Sequence, residues 1–318
     1  MNALQEKYLE IFNSIDFEKI HDHPNILIAA RFWDEKRFGA AKTLYKFMRE
    51  IDDLIDNHKA ANKVILESER VAFHSEVESW LKMIVEGKNA DPLQQEITET
   101  VRKFRIPLWP LEAFARSMIY DINNSGFPTM NTFFEYAGGA SVAPAAIFVH
   151  LAGLRELENK YSAPAFNVKE AATSCAIFSY LVHIIRDFQK DQLNNLNYFA
   201  EDLIKKCGLK NEDLLNIAKG GEISNGFRDL MKIYYDLAEE YRQKTFDCIR
   251  AIWPYLEAPY QLSLEIIFEL YLLVFERIDI SKGKFTGAEL SPTAEESKKR
   301  VYNTIVNSRT LKSPAYIS

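Results

Sequence analysis

Two short acidic clusters hold the residues of this 318-residue chain whose types and spacing can do chemistry: Arg49-Glu-Ile-Asp52-Asp53-Leu-Ile-Asp56 and Arg186-Asp187-Phe-Gln-Lys-Asp191. Each residue of an α-helix turns about 100°, so Asp52, Asp53 and Asp56 share an arc of roughly 100° with Tyr45 and Arg49. Leu44, Phe47, Ile51, Leu54 and Ile55 take the opposite side. In the second segment Tyr180, His183, Asp187, Asp191 and Asn194 fall within roughly 80° of one another. A solvated acidic face is one explanation. Stability does not ask for it: like charges at i,i+4 cost a helix roughly 0.2–0.5 kcal/mol. Asp56 also reads as lying beside a helix end at Asn57-His58, where the dipole disfavours anions. A divalent cation would turn the repulsion into ligation, because Mg²⁺ is typically held by one or two carboxylates with substrate phosphates and water completing its shell. Two such faces point to a metal cluster between two helices, bridged by a diphosphate.

Those faces need long helices to hold them, and helical periodicity dominates the chain. It predicts helices near 3–19, 35–58, 62–86, 92–104, 109–123, 130–155, 167–194, 211–219, 226–253, 260–280 and 294–307, with no strand-like alternation and no repeat. Prolines fall near the predicted helix starts or in loops, where they are tolerated. Pro144 is the exception. It interrupts the apolar run from Tyr136 to Val149 and is expected to kink that helix. Gly138, Gly139 and Ala140 before it permit close approach, either of a packed helix or of a substrate. The stretches 130–155 and 173–185 are apolar on most faces and should be central; 62–86 and 294–307 are charged and should lie outside.

With 47% hydrophobic and 13% aromatic residues the core can be large, and no linker divides the chain, so a single all-α domain over 1–318 is expected. A formal charge of −6 argues against nucleic acid as the partner. Cys175, Cys207 and Cys248 follow no metal-ligand pattern and read as buried or free thiols in a reducing compartment. No signal core and no uncharged run of about 18 apolar residues is found. A cytoplasmic protein without a membrane span, touching a membrane peripherally if at all, is the expectation.

Together these features resemble the squalene/phytoene synthase family over nearly the whole chain. Tyr45-Lys-Phe-Met-Arg49-Glu-Ile-Asp52-Asp53-Leu-Ile-Asp56 is similar to that family's first motif, and Leu181-Val-His183-Ile-Ile-Arg186-Asp187-Phe-Gln-Lys-Asp191 to its second. Tyr198-Phe199 fits the following segment, Tyr136 to Ala145 the tyrosine- and glycine-containing helix, and Leu270-Tyr271 the C-terminal cavity helix. The resemblance implies a class I isoprenoid synthase-like helical bundle with a central apolar cavity. It implies that Asp52, Asp56, Asp187 and Asp191, with Asp53 in support, ligate two or three Mg²⁺ ions together with the substrate. Arg49 and Arg186 would contact diphosphate, for which the guanidinium fork is suited; an intrahelical ion pair is the alternative for each. Tyr45 and Tyr271 would flank a carbocation through their ring faces, and Val142 and Ala143 would line the tail pocket.

The chain departs from the family at Tyr180 and His183, where Gln and Asn are usual. It departs again at Asn194-Asn-Leu-Asn-Tyr198, which lacks an arginine, at Val142-Ala-Pro144-Ala145, and at His23-Pro24-Asn25-Ile26. His183 could donate to a diphosphate, carry a proton near neutral pH, or be a core histidine. The leading expectation is Mg²⁺-dependent head-to-head condensation of two prenyl diphosphates, farnesyl or geranylgeranyl, through a cyclopropyl diphosphate. One-substrate cyclisation or hydrolysis on the same scaffold is the alternative, and a non-catalytic assembly-factor relative the third. NADPH use stays open; no Gly-x-Gly-x-x-Gly fingerprint is present.

Overall fold

The computed structural model describes residues 3–18, 25–61, 64–87, 92–158 and 160–308. Fifteen helices follow one another among the described residues: α1 (Ala3–Asn13), α2 (Asn25–Ala30), α3 (Glu35–Ala61), α4 (Glu67–Glu86), α5 (Pro92–Lys103), α6 (Trp109–Asn123), α7 (Met130–Ala137), α8 (Ala143–Gly153), α9 (Val168–Leu193), α10 (Glu201–Lys206), α11 (Asn211–Ala218), α12 (Asn225–Ile252), α13 (Ala258–Phe275), α14 (Gly287–Leu290) and α15 (Ala294–Asn307). Three of these, α2, α10 and α14, are too short for periodicity to reveal. A small antiparallel hairpin, β1 (Arg155–Leu157) with β2 (Lys160–Ser162), pairs Glu156 with Tyr161. Three-residue strands leave no alternation to read, so the expectation of no strand is corrected here.

Helix α9 is the axis of the bundle. Asn167 caps its start by accepting from the backbone N–H groups of Lys169 and Glu170 at 3.1 and 3.3 Å. The chain leaves it through Asn195, whose φ of 59° is a left-handed turn tolerated by Asn. The second acidic cluster therefore occupies its last turns. Helix α12 packs along α9, α8 crosses it, and α3 lies against α5, α6 and α8. On α3, Leu44, Phe47, Ile51 and Ile55 are buried as the periodicity requires. The charged helices α4 and α15 bury only Val77 and Ile84, and Val301 and Ile305.

Two expectations about helix ends change. Helix α3 continues to Ala61, so Asp56 sits more than a turn inside it rather than beside its end. The break before Pro144 is a π-helical turn, Gly138–Val142, between α7 and α8. Such an inserted turn frees the carbonyls that a proline ring would otherwise strike. Gly139 lies against α6 so closely that a Cβ there would stand 2.1 Å from the Ala113 carbonyl oxygen, so at this position helix packing decides.

Among the described residues, three segments are by length and composition apolar enough to cross a membrane: Met130–Gly153, Val168–Leu193 and Ala258–Phe275. That corrects the expectation that none would qualify. Their apolar windows are 72, 56 and 67% buried within the bundle, as expected of core helices that touch protein on most sides.

Candidate active site

Both acidic faces open onto one central cavity of about 460 Å³. From α3 it receives Tyr45, Arg49, Asp52, Asp53 and Asp56; from α9, Tyr180, His183, Asp187, Asp191 and Asn194; from α13, Tyr271. The opposite stretch is apolar, with Leu44, Phe114, Ile147, Phe148 and Leu151. The volume is in the range of ordinary small-molecule sites. A wider groove of about 630 Å³ between α12, α13 and α15 has neither aspartate face, and its Arg300 is already bonded to Glu269 at 2.8 Å.

Three sequence expectations are corrected. Val142 and Ala143 do not line the cavity; they are buried at 2% and 0% exposure, while Ala140, Ser141, Pro144 and Ala145 face it. The π turn shifts the register of the helix face, which no regular 100° step anticipates. Arg186 does not line the cavity either. It lies about 100° around α9 from Asp187 and reaches back to it, Nε to Oδ1 at 2.8 Å and Nη2 to Oδ2 at 2.6 Å. Burial and the charge of Arg186 hold His183 neutral, lowering its pKa to about 3, so it does not act as an imidazolium acid near pH 7. Its ring meets Tyr271 edge-on at 5.0 Å. Of the early segment, His23 and Pro24 lie outside the described residues; Ile26 and Leu27 line the cavity.

Arg49 spans Asp52, at 2.9 Å, and Asp53. Its Nε is buried and has no hydrogen-bond partner among the described residues. Despite this arginine, burial and the neighbouring Asp121 lift Asp52 to a pKa of about 6. Burial, Asp52 and Asp121 lift Asp56 to about 8. Asp191 rises to about 7 through burial and the charge of Asp187. In Asp187 burial pulls upward, yet the bidentate bond and charge of Arg186 outweigh it and its pKa falls below the usual value.

Sequence reasoning missed several neighbours. Asp121 of α6 binds Lys59 Nζ at 3.0 Å and accepts a hydrogen bond from the Tyr136 hydroxyl. Nothing in its sequence marks it, since it is a lone acid on another helix. Lys190 lines the cavity one turn from Asp187, and its helical phase could have revealed it. Tyr136 and Tyr198 join Tyr180 in an aromatic wall, the rings of Tyr180 and Tyr198 being 6.3 Å apart. Among the described residues no three His, Cys, Asp or Glu side chains converge to hold a metal unaided. The donors themselves fit Mg²⁺: they are all oxygen, they come from two helices, and burial with mutual repulsion favours a cation among them. A phosphate-bearing ligand would have to complete the coordination. All three cysteines are free, and burial pushes Cys175, on the cavity wall, up to about 12.

Comparison with known proteins agrees with this geometry. The squalene/phytoene synthase family model matches residues 21–296. The chain is 24% identical over 258 residues to a chloroplastic phytoene synthase of an Oncidium hybrid cultivar, covering 78% of this chain and 59% of that one. It is 22% identical over 212 residues to phytoene synthase 1 of Arabidopsis thaliana, covering 64% and 47%. The chain thus spans about half to three fifths of these relatives' lengths. Among solved structures, a dehydrosqualene synthase in complex with ligand superposes with a TM-score of 0.67 at 16% identity, covering 95% of this chain and 98% of that one. Squalene synthase HpnC from Alicyclobacillus acidocaldarius gives 0.60 at 12% identity, covering 84% and 89%.

Proposed function

Because the chain belongs to the squalene/phytoene synthase family, we propose that it is a prenyltransferase joining two prenyl diphosphates head to head, of farnesyl or geranylgeranyl length. The observation that carries this reading is one cavity with two carboxylate faces at one end, the orphan Nε of Arg49 among them, and hydrocarbon walls at the other. Asp52, Asp53, Asp56, Asp187 and Asp191 would hold Mg²⁺, which when bound supplies positive charge against the leaving diphosphate. Arg49 and Lys190 add fixed cationic donors on the same side. Arg186 acts one step back, keeping Asp187 ionised and oriented.

After the allylic C–O bond breaks, the cation faces the rings of Tyr45, Tyr180, Tyr198 and Tyr271, whose π-faces attract positive charge. The double bond of the second chain attacks it to give a tertiary cation. Loss of a proton, taken up by the released inorganic diphosphate, then closes the three-membered ring of a cyclopropyl diphosphate. Burial keeps the phenols of Tyr180 and Tyr198 well above their ordinary pKa, so they stay protonated and do not quench the cation as phenolates. Apolar walls from Phe114 to Leu151 exclude water. His183, neutral, is available as a hydrogen-bond donor or acceptor and not as an acid.

A second reading, cyclisation or hydrolysis of one prenyl diphosphate, draws support from the bulk of Tyr180 and His183 in the cavity. Incubating the protein with farnesyl and geranylgeranyl diphosphate, Mg²⁺, and with or without NADPH separates the two by product mass. A C30 or C40 product supports coupling; only C15 or C20 alcohols or cyclic hydrocarbons would replace it with the second reading.

A further inference from the structure

We propose that the groove between α12, α13 and α15 is the docking site of this chain's own segment 309–318. The groove, about 630 Å³, is floored by Phe246, Ile249, Trp253, Phe268 and Leu273. The ring of Phe246 stands 45% exposed there. One wall is a stripe of α15 from Glu296 to Ser308, roughly 18 Å long at 1.5 Å per residue. Helices α13 and α15 run antiparallel: Glu296, near the start of α15, pairs with Arg277 just past the end of α13, and Arg300 a turn later reaches back to Glu269. At the start of α13, Gln261 donates to the Trp253 carbonyl at 2.8 Å. The chain therefore reaches Ser308 at the Trp253 end of the groove.

The segment that follows fits this groove in length, composition and charge. Ten residues follow Ser308, an extended reach of about 33 Å, enough to turn and run back along the whole stripe. Leu311, Tyr316 and Ile317 match the apolar floor, and the segment carries Arg309 and Lys312 with no acidic residue. The lining holds three carboxylates, Glu265, Glu269 and Glu296, against Lys299 and Arg300. The charges beside it cancel: Arg277 on Glu296, Glu276 on Arg300, and Arg242, bonded to Glu239, over the Phe246 ring. A negative surplus remains for the cations of the segment. The Ser308 hydroxyl also lines the groove, buried and without a hydrogen-bond partner among the described residues. Such a group is costly unless a neighbour satisfies it, and a backbone folded back past Ser308 supplies one. Docking braces α13 from outside. Ile267 and Tyr271 face the cavity from this helix, while Glu265, Phe268 and Glu269 face the groove from its other side. The segment is then a strap behind the wall that carries Tyr271; that role toward the site, though not the docking itself, rests on the proposed function.

Hydrogen exchange on the full chain, without substrate, tests the docking separately from catalysis. Amides of 309–318 should exchange at least about tenfold more slowly than those of a free peptide of the same sequence. Leu311→Asp with Ile317→Asp should remove that protection and speed exchange across 246–253 and 265–273, leaving the centre of α9 protected. Phe246→Lys, at an exposed position on the groove side, should release the segment in the same way and serves if the double variant misfolds. Peptide-like exchange of 309–318 in the wild type, or protection that both variants leave unchanged, would overturn the proposal. So would protection of 309–318 that disappears on dilution, because the groove would then hold the segment of a second copy.

Discussion

The two acidic faces look equivalent in sequence and are electrostatically different. On α9 one arginine is committed to one aspartate: Arg186 grips both oxygens of Asp187 and keeps it anionic. On α3 a single arginine is spread over Asp52 and Asp53, while Asp121 from α6 adds negative charge beside Asp52 and Asp56. Lys59 offsets some of this but is bonded to Asp121. The α3 face therefore accumulates charge that it cannot satisfy, whereas the α9 face is partly neutralised before any ligand arrives. A cation entering the cavity gains most beside α3, and Asp187 offers a preformed, ionised partner across from it.

Substituting each face separately gives the largest expected effect. Asp52→Asn and Asp187→Asn should both lower turnover by at least about 10²-fold, the usual scale for removing one key electrostatic group; near-normal turnover in saturating Mg²⁺ from either would break the assignment of that face. Stability should then separate them. Asp187→Asn leaves a largely enclosed guanidinium without its carboxylate and should cost about 1 kcal/mol, a figure already reduced for partial solvent screening. Asp56→Asn relieves repulsion and should leave the metal-free melting temperature equal or higher. The opposite order in thermal denaturation would show that the two faces do not differ as described.

The same contrast has a pH signature. The raised pKa values of about 6, 8 and 7 for Asp52, Asp56 and Asp191 mean that the folded state binds more protons than the unfolded chain between about pH 4 and 8. Their contribution favours folding at low pH and is lost as pH rises through that window. Asp187 runs the other way: its contribution is present above the ordinary carboxylate pKa and lost as pH falls. Metal-free stability should thus decline toward pH 8, and Mg²⁺ with inorganic diphosphate should restore it. A flat profile in denaturant titrations would argue that the α3 carboxylates are not desolvated.

Smaller effects sharpen the picture inside the cavity. Ala145→Phe, on a lining position, should shorten the accepted prenyl chain in a folded protein, whereas Ala143→Phe, with no exposure at all, should lower stability. An unchanged chain-length range in folded Ala145→Phe would remove α8 from the tail pocket. His183→Asn should leave the pH–rate curve between pH 5 and 8 unaltered, because His183 is neutral throughout that range. Loss of an inflection there would restore it as a titrating group.

The α3 and α9 faces could be read from the chain because an α-helix fixes the angle between residues. Aspartates four apart share a side wherever the helix lies, and Leu44, Phe47, Ile51 and Ile55 must then point inward. The same rule placed Tyr180, His183, Asp187, Asp191 and Asn194 on one wall. It failed wherever the helix was not regular or the partner came from elsewhere in the chain. The π turn at Gly138–Val142 exchanged Val142 and Ala143 for Ala140 and Ala145 as lining residues. Arg186, expected at a diphosphate, turned back to its sequence neighbour. Asp121 and Lys59 met across 62 positions, and His183 was kept neutral by a desolvated setting that no local spacing encodes. Residue types and helical phase decided which groups share a face. Only tertiary packing decided which faces meet, how much water stays between them and hence which carboxylates keep their charge, because burial and long-range Coulomb terms depend on neighbours brought together by the fold.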